Sequence, residues 1–331
     1  MSAEFARPPG AAAAVDTRVA SAPLFAVINA GSGAHDAEQT RESLSDVFRQ
    51  AGRAVQFTQV VRPALLPQAC EQAAVQAARH NGILVAVGGD GTLNTAARAA
   101  LGQGCPMGVI PRGTFNYLAR DHGIPLDAQE AARALLQASP QPVQVGLVNG
   151  EIFLVNASLG LYPQLLQDRE AFKARLGRHR WVALLSGLAT LLQWHGRQLS
   201  LDVELDGRHR ALTTSTLFVG NNRLQVERVG IEDHVTDRMG SGRLAGVVVR
   251  PIGIASMLGL VLRGALGRLG DADRVDSFSF HRLDVRVRGA RRVKIATDGE
   301  VRRVAPPLRF TVAPEPLRLM VPAPEARAPR E

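Results

Sequence analysis

The sequence predicts a protein of two domains, an α/β domain with a parallel sheet and, after it, a largely antiparallel β domain. From Leu24 to about Val148, short apolar runs alternate with helical stretches, which is the pattern of a parallel sheet covered by helices. After Val148, the alternation of apolar and polar residues that is typical of strands predominates. The length of 331 residues also fits two domains better than one small core.

The first domain, predicted over residues 23–148, repeats a strand followed by a helix. The predicted pairs are Leu24–Ile28 with Asp36–Ala51, Val55–Val61 with Pro63–His80, Ile83–Val87 with Thr92–Leu101, and Met107–Ile110 with Thr114–Asp121. Sheets of this kind bind their ligands where the strands end, and the loops at these ends are rich in glycine. This domain is therefore the predicted nucleotide-binding unit.

The second domain, predicted over residues 149–307, consists mainly of strands. These are Ile152–Ala157, Leu199–Leu205, Leu212–Val219, Leu244–Val249, Phe278–Val287 and Val293–Ala296. Two helical stretches, Arg178–Trp194 and Ile252–Leu269, are apolar on one side and basic on the other, so each is expected to face a core or, as the alternative, a lipid surface. The C-terminal strands in residues 308–321, Leu308–Val312 and Leu317–Val321, could return to the first domain.

The ends of the chain and its cysteines indicate where the protein works. Residues 1–22, rich in Ala and Pro, and residues 322–331 are predicted to be disordered tails, and the first has no sustained apolar region of a signal peptide. The most apolar segment, Ile252–Gly270, contains Arg263 and Arg268 and is short of a membrane span. Cys70 and Cys105 form no metal-like pair, which favours a reducing setting. We expect a cytoplasmic protein that associates with membranes peripherally.

Composition narrows the classes of partner. Hydrophobic residues make up 46% of the chain and charged residues 21%, which is the balance of a soluble globular protein. The formal net charge is +9, and Lys173 and Lys294 are the only lysines, so the positive charge is mostly guanidinium, which suits phosphate contact. The arginines are not concentrated in one stretch or interleaved with aromatics, which argues against nucleic acid. An anionic membrane surface or phosphorylated ligands are the expected partners.

The most informative segment runs from Leu84 to Asn94, where an apolar strand leads into Gly88-Gly-Asp-Gly-Thr92 and a helix. Glycines let backbone N–H groups turn toward an anion, and the helix N-terminus adds partial positive charge. The pattern predicts phosphate binding rather than an empty turn. Phosphate would repel the Asp90 carboxylate unless the carboxylate held a metal ion or a proton. Asp90 is therefore a candidate Mg²⁺ partner or base.

Two further loops follow predicted strands, Asn29-Ala-Gly-Ser-Gly33 and Pro111-Arg-Gly-Thr-Phe-Asn116. Each supplies small residues, hydroxyls and an amide, and each alone is typical of an ordinary turn. Three such loops at strand ends of one sheet point to a shared site. Thr58, near the end of the second strand, could add a hydroxyl on the same edge, although Thr is common in strands.

Five motifs follow one another along the chain. They are Asn29–Gly33, Gly88–Thr92, Gly108–Asn116, Asn156–Gly160 and Asp298–Glu300. In order and spacing they resemble the diacylglycerol kinase catalytic-domain family, which includes bacterial lipid kinases and sphingosine kinases. The Gly-Gly-Asp-Gly element alone is shared with NAD kinases and is similar to a phosphofructokinase motif. The resemblance implies an α/β nucleotide-binding domain of the NAD kinase and phosphofructokinase type, a β-sandwich domain, and ATP between them.

The same resemblance, which extends over about residues 24–321, implies the roles of individual residues. The cofactors are ATP and Mg²⁺, and the proton acceptor falls on Asp298. The ATP-binding positions are Asn29, Ala30, Gly31, Ser32, Gly33, Thr58, Gly88, Gly89, Asp90, Gly91, Thr92, Leu93, Asn94, Thr114 and, beside them, Asn116.

The role implied for Asp298 also makes chemical sense. Asp298-Gly299 is predicted to form a hairpin turn, where this dipeptide is common for conformational reasons alone. Phosphoryl transfer needs positioning, charge neutralisation and a carboxylate that accepts the hydroxyl proton. The loop around Gly91 offers positioning, Mg²⁺ neutralises charge, and Asp298 is the carboxylate. Glu300 is a further catalytic candidate, and Asp90 is the rival base.

Two departures from the family pattern concern a structural metal site and the acceptor. Bacterial members often carry an Asp-Asp-Gly-like element and a Gly triplet before it, in a segment that supports a structural Mg²⁺. Here the matching stretch is Arg238–Arg243, with Ser241 in place of the carboxylate, and Asn221–Gln225 has no Gly triplet. We expect that metal site to be absent or altered. The family's Asn-Asp after Gly-Thr is Asn116-Tyr117, which leaves the lipid preference open.

These observations predict a lipid kinase that moves the γ-phosphate of ATP to diacylglycerol or a sphingoid-like alcohol at a membrane surface. Arg178, Arg180, Arg263 and Arg268, on or beside the apolar helices, would attract anionic lipid. The alternatives are a soluble kinase of the NAD-kinase type and a nucleotide-binding regulator without catalysis. The late Asp298–Glu300 motif and the basic helices favour lipid, and the retained carboxylates argue against the regulator. A homodimer is left open.

Overall fold

The computed structural model describes residues 21–30, 34–161, 163, 198–228, 231, 233–250 and 275–329. These residues form the predicted α/β domain, with one six-stranded sheet, and a second domain of two six-stranded sheets. The predicted fold class is confirmed. The helices predicted at Arg178–Trp194 and Ile252–Leu269, with all four arginines that were expected to attract anionic lipid, lie outside the described residues.

The first domain alternates strands and helices. Its elements are β1 (Leu24–Asn29), α1 (Ala34–Gln50), β2 (Val55–Val60), a 3-10 turn (Pro63–Leu65), α2 (Leu66–Arg79), β3 (Ile83–Gly88), α3 (Asp90–Gln103), β4 (Met107–Pro111), α4 (Tyr117–Asp121), α5 (Ala128–Leu136), β5 (Ser139–Val143) and, near the end of the chain, β18 (Leu317–Val321).

The sheet of this domain has the strand order β2-β1-β3-β4-β18-β5. All neighbours are parallel except β5, which runs antiparallel to β18. Helices cover the sheet, and the central strand β3 is buried along its whole length, which explains its continuous apolar sequence. The carboxyl ends of β1, β3 and β4 therefore lie side by side, as predicted from their loops.

The second domain is almost entirely β. Its elements are β6 (Gly146–Val148), β7 (Glu151–Phe153), β8 (Asn156–Gly160), β9 (Leu199–Leu205), β10 (Arg208–Thr214), β11 (Thr216–Gly220), α6 (Arg223–Arg228), α7 (Asp233–Thr236), β12 (Leu244–Val249), β13 (Val275–Phe280), β14 (Arg282–Val287), β15 (Val293–Thr297), β16 (Glu300–Val304) and β17 (Leu308–Val312).

The two antiparallel sheets of this domain have the orders β10-β9-β14-β17-β6-β7 and β13-β12-β11-β8-β15-β16. Their inner faces share one core, in which Phe153, Phe280 and Phe310 are the largest buried side chains. Of the two C-terminal strands, β17 stays in this sandwich, whereas β18 returns to the first domain and pairs with β4 and β5. The chain thus crosses back between the domains after residue 312.

Three segments predicted as single strands are each interrupted, and the reason is the same in all three. Ile152–Ala157 divides into β7 and β8, Leu212–Val219 into β10 and β11, and Phe278–Val287 into β13 and β14. In every case the two halves belong to different sheets of the sandwich. A strand that changes sheets must bend, so the alternation continues in sequence while the hydrogen-bonded ladder stops.

The helices and ends also differ from prediction at some points. The helix predicted from Thr114 begins only at Tyr117, because residues 113–116 form a loop. The unpredicted α5 has a recognisable N-cap, since the Asp127 side chain accepts from the backbone N–H groups of Gln129 and Glu130. The C-terminal segment predicted as a disordered tail contains a 3-10 turn at Pro324–Ala326, and Ala328 donates to the Gly123 carbonyl, 2.8 Å away.

None of the helices within the described parts of the chain is both long enough and apolar enough to cross a membrane.

Candidate active site

The loops after β1 and β3 are joined by a hydrogen bond between their side chains. The Asn29 Nδ2 atom at the end of β1 donates to Thr92 Oγ1 in the first turn of α3, at 2.9 Å. A Cβ atom on Gly88 would lie 2.5 Å from the same hydroxyl, so the strand can reach the helix this closely only with glycine. Asn29 and Thr92 thus hold the two strand ends together.

The loop after β4 is fastened by Asn116, which adopts the left-handed conformation with φ of 50°. Its side chain accepts from the Gly113 N–H at 2.9 Å and donates to the Gly113 carbonyl at 2.8 Å. A Cβ atom on Gly113 would approach Gly89 Cα to 2.9 Å, so the loops after β3 and β4 touch backbone to backbone. Two of the predicted loops therefore form one continuous surface at the N-terminus of α3.

Asp90 lies in the first turn of α3, between these loops. Its Oδ2 atom accepts from the backbone N–H of Asn116 at 3.1 Å, whereas its buried Oδ1 atom has no hydrogen-bond partner in the described structure. Burial raises the pKa of Asp90, and the nearby charge of Asp298 acts in the same direction. A buried carboxylate oxygen without a partner, beside a helix N-terminus that favours phosphate, fits a divalent cation that accompanies a nucleotide.

Asp298 lies in the turn between β15 and β16, where it has φ of 48° and Gly299 has φ of 89°. Its carboxylate accepts four hydrogen bonds. Oδ1 accepts from the N–H groups of Val155 at 2.8 Å and Asn156 at 3.0 Å, and Oδ2 from the Leu154 N–H and from Asn94 Nδ2, both at 2.7 Å. The interruption between β7 and β8 supplies three of these donors, so the carboxylate takes the place of a neighbouring strand there.

These contacts limit the chemistry open to Asp298. Burial raises the pKa of its carboxyl, while the hydrogen bonds from its donors act to lower it. Because each oxygen already accepts twice, the lone pairs are occupied before any substrate arrives. Asp298 therefore joins the β15–β16 hairpin to α3 and to residues 154–156.

Glu300 is the carboxylate of this hairpin that stays open. Its side chain is exposed, and Oε1 lies 3.3 Å from the point where a Cβ atom on Gly91 would be. No hydrogen bond or ion pair of the Glu300 side chain is found within the described residues. The second domain thus brings an unoccupied carboxylate against the predicted phosphate loop of the first.

One face of α3 carries the contacts between the domains. Asp90, Asn94 and Arg98 are spaced four residues apart and form one stripe along the helix. Asn94 bonds Asp298, and Arg98 forms an ion pair with Glu151 on β7, which also contacts Arg302 of β16 at 3.3 Å. The hydrogen bond from Arg98 lowers the pKa of Glu151. Because α3 starts at the phosphate loop, these contacts orient that loop toward the second domain.

The structure brings together most of the predicted nucleotide-binding residues. Asn29, Gly88, Gly89, Asp90, Gly91, Thr92, Asn94 and Asn116 lie in or next to the loops described above, and Thr114 is exposed on the third loop. Ala30 and Leu93 are buried in the core of the first domain. Gly31, Ser32 and Gly33 lie outside the described residues. Thr58 lines a separate cavity of about 390 Å³ between β2 and α2, and makes no described hydrogen bond to the loops.

Sequence reasoning missed several residues of this site. The partners of Asp298 at Leu154 and Val155 act through backbone N–H groups, which carry no side-chain signature. Arg98 could have been found from its spacing of four residues from Asn94. The departure at Ser241 has a structural counterpart, because Ser241 Oγ donates to the Arg238 carbonyl at 2.7 Å, within its own turn.

Comparison with known proteins adds independent findings. The family model of the diacylglycerol kinase catalytic domain matches residues 23–148. A Pseudomonas aeruginosa (strain UCBPP-PA14) protein named probable lipid kinase YegS-like is 33% identical over 250 residues, which cover 72% of this chain and 76% of the relative. The Bacillus subtilis (strain 168) protein named diacylglycerol kinase is 34% identical over 136 residues, or 40% of this chain and 44% of that protein.

A solved structure gives the same picture of the fold. The crystal structure of a diacylglycerol kinase from Bacillus anthracis str. Sterne matches with a TM-score of 0.64 and 16% identity, and the match covers 92% of this chain and 98% of that one. Both domains of the present chain are therefore found together in a known architecture.

Proposed function

Because this chain belongs to the diacylglycerol kinase catalytic-domain family, we propose that it is a lipid kinase that transfers the γ-phosphate of ATP to a lipid hydroxyl group. One observation carries the proposal. The hairpin that bears Glu300 is hydrogen-bonded through Asp298 to Asn94, one turn after the phosphate loop begins α3. A carboxylate from one domain is thereby held against the anion-binding end of a helix in the other, as phosphoryl transfer to an alcohol requires.

The first domain would hold the nucleotide. Backbone N–H groups at the start of α3, with the helix dipole behind them, favour the phosphates, and the glycines leave room for close approach. The Oδ1 atom of Asp90, buried and without a partner in the described structure, is the group that would hold Mg²⁺. When bound, the ion neutralises the negative charge of the phosphates. Asn116, which bonds both Gly113 and Asp90, keeps this carboxylate in place.

Among the three catalytic candidates, we assign the proton acceptor to Glu300. Asp298 accepts four hydrogen bonds and has no free lone pair, and Asp90 is half-buried and accepts from the Asn116 N–H. Glu300 is exposed and lies against Gly91. Glu300 would take the proton of the lipid hydroxyl. The hydroxyl oxygen attacks the γ-phosphorus at the same time, and the bond from the γ-phosphorus to ADP breaks. Asp298, assigned this role from the sequence, becomes a positioning residue.

The proposed acceptor is diacylglycerol or a sphingoid-like alcohol, presented by a membrane that the cytoplasmic protein visits. The relatives' names support a lipid acceptor, and the net charge of +9 favours an anionic bilayer. The decisive experiment incubates the protein and γ-labelled ATP with diacylglycerol, a sphingoid base and a bacterial lipid extract in vesicles, with NAD as the soluble control. Label in a lipid product supports the proposal. Label only in NADP, or in no acceptor, contradicts it.

A further inference from the structure

The stretch Arg238–Arg243, where the family resemblance implies a structural Mg²⁺ site, lacks the ligands for one in the described structure. Ser241 stands at the carboxylate position, and its hydroxyl is used within its own turn. A neighbouring cavity of about 240 Å³ has Asp121 as its only lining carboxylate in the described structure. Across the described residues, no three His, Cys, Asp or Glu side chains are grouped so that they could hold a metal ion. Because Mg²⁺ prefers carboxylate ligands in octahedral geometry, this set of groups does not fit it.

The turn that contains Ser241 is instead held by the side-chain amide of Gln144, which lies between β5 and β6. Its Oε1 atom accepts from the Gly242 N–H at 3.0 Å, and its Nε2 atom donates to the Arg243 carbonyl at 3.0 Å. Nε2 also donates to Asn221 Oδ1 at 3.0 Å. Both hydrogens and the oxygen of this amide are therefore used, and they join the turn at Gly242 and Arg243 to Asn221.

Asn221 carries the connection onward to the catalytic hairpin. Its Nδ2 atom donates to the Leu154 carbonyl at 2.9 Å, and its backbone N–H donates to the Val155 carbonyl at 2.9 Å. The N–H groups of the same two residues donate to Asp298. The interruption between β7 and β8 is thus held through its carbonyl groups by Asn221 and through its N–H groups by the Asp298 carboxylate.

We propose that this amide pair, Gln144 and Asn221, replaces the structural metal site of the family. The pair also positions Asp298, through the backbone of Leu154 and Val155. Neutral amides can satisfy backbone donors and acceptors of several segments without bringing a charge into the interior, so no cation is needed to balance them. The kinetic part of the inference rests on the proposed lipid kinase activity. The metal part does not, and each has its own measurement.

The metal part is tested on the nucleotide-free protein by thermal unfolding in Mg²⁺ and in EDTA. The Asp90→Asn variant is measured alongside, because Asp90 is the other candidate ligand. A native-state ligand raises the unfolding midpoint, so we expect the midpoint of Asp90→Asn to change by less than about 1 °C between the two solutions. A saturable rise with Mg²⁺ in this variant would show a second metal site and overturn the replacement.

The positioning part is tested with Gln144→Ala and a control on the preceding strand β5, Gln141→Ala, whose exposed side chain bonds Ser139. We expect Gln144→Ala to lower kcat for lipid phosphorylation by about tenfold or more, with the KM for ATP unchanged, and the control to leave both unchanged. If Gln144→Ala unfolds, Gln144→Met fills the same space without the hydrogen bonds, and the same direction of change in kcat is expected. A lower unfolding midpoint with wild-type kcat in either variant contradicts the positioning role.

Failure of this inference can be told apart from failure of the proposed function. If the wild-type protein phosphorylates no lipid, the proposed function is wrong, and the comparison of Mg²⁺ with EDTA still decides the metal part. If it phosphorylates lipid and the Gln144 variants behave as the control does, the proposed function stands and the positioning role is rejected.

Discussion

The side-chain amide of Asn94 lies 2.7 Å from Oδ2 of Asp298, although 204 residues separate the two in the chain. This hydrogen bond connects the first turns of α3, which begin at the phosphate loop, with the hairpin that carries Glu300. In the proposed function, nucleotide binding depends on one side of the bond and proton transfer on the other. Substitutions on the two sides should therefore have separable effects.

On the nucleotide side, we expect Gly89→Asp to abolish ATP binding. Gly89 precedes α3, and a Cβ atom there would lie 3.3 Å from Gly113 Cα, so a carboxylate would crowd the adjoining loop and repel phosphate. The matched control is Gly102→Asp near the other end of the same helix, where a Cβ atom would have no described neighbour within 4 Å. Calorimetric titration with ATP and Mg²⁺ should give no heat of binding for the first variant. Binding within threefold of wild type would reject the phosphate loop.

On the acceptor side, Glu300→Gln should reduce kcat by about 10²- to 10⁴-fold, because the amide cannot take up the hydroxyl proton. Its unfolding midpoint and its affinity for ATP should stay at wild-type values, since no described hydrogen bond depends on Glu300. Single-turnover rates and calorimetry measure the two quantities. A variant that retains more than about a tenth of the wild-type rate would return the role of base to Asp298 or Asp90.

Asp298→Asn should behave differently, because it removes structure as well as charge. An amide places an NH₂ group against N–H donors that now meet a carboxylate oxygen, which leaves at least one buried donor without an acceptor. We expect the free energy of unfolding to fall by about 1–3 kcal/mol, and kcat to fall with it. Chemical denaturation measures the first. Wild-type stability combined with a lost kcat would instead identify Asp298 as the base, the role assigned from the sequence.

Asp90 should make the nucleotide-free protein less stable near neutral pH. Burial raises the pKa of Asp90 above its ordinary value of 3.8, so the ionised form is disfavoured in the folded state. This cost is absent below 3.8, appears as the pH rises toward the folded-state pKa and is complete above it. Asp90→Asn should therefore be more stable than wild type at pH 7, and the difference should vanish in acid.

The same substitution should weaken binding of ATP with Mg²⁺, because the carboxylate oxygen that would hold the ion is lost. Thermal unfolding from pH 4 to 8 without nucleotide, together with calorimetry at pH 7, tests both effects. Equal stability of Asp90→Asn and wild type across this range would mean that ionisation of Asp90 does not destabilise the folded state.

The sequence by itself determined the fold class, and it predicted where a nucleotide would bind. Apolar runs that alternate with helical stretches require a covered parallel sheet, and glycine in the loop after β3 is a local requirement that can be read without tertiary information. Asp298-Gly299 was likewise readable as a turn, because the positive φ of both residues is a property of the dipeptide.

Only the tertiary structure showed that the Asp298 carboxylate is held by four hydrogen bonds while the Glu300 side chain is exposed. Asp298 and Glu300 are two residues apart, and the sequence favoured Asp298 as the base, but the donors that occupy Asp298 come from Asn94 and from residues 154–156, far away in the chain. The interruption between β7 and β8 was hidden for the same reason, since a strand that changes sheets keeps its apolar pattern while its backbone groups lose their partners. Hydrogen bonds between distant segments depend on how the two domains pack, and no local pattern of residues records that.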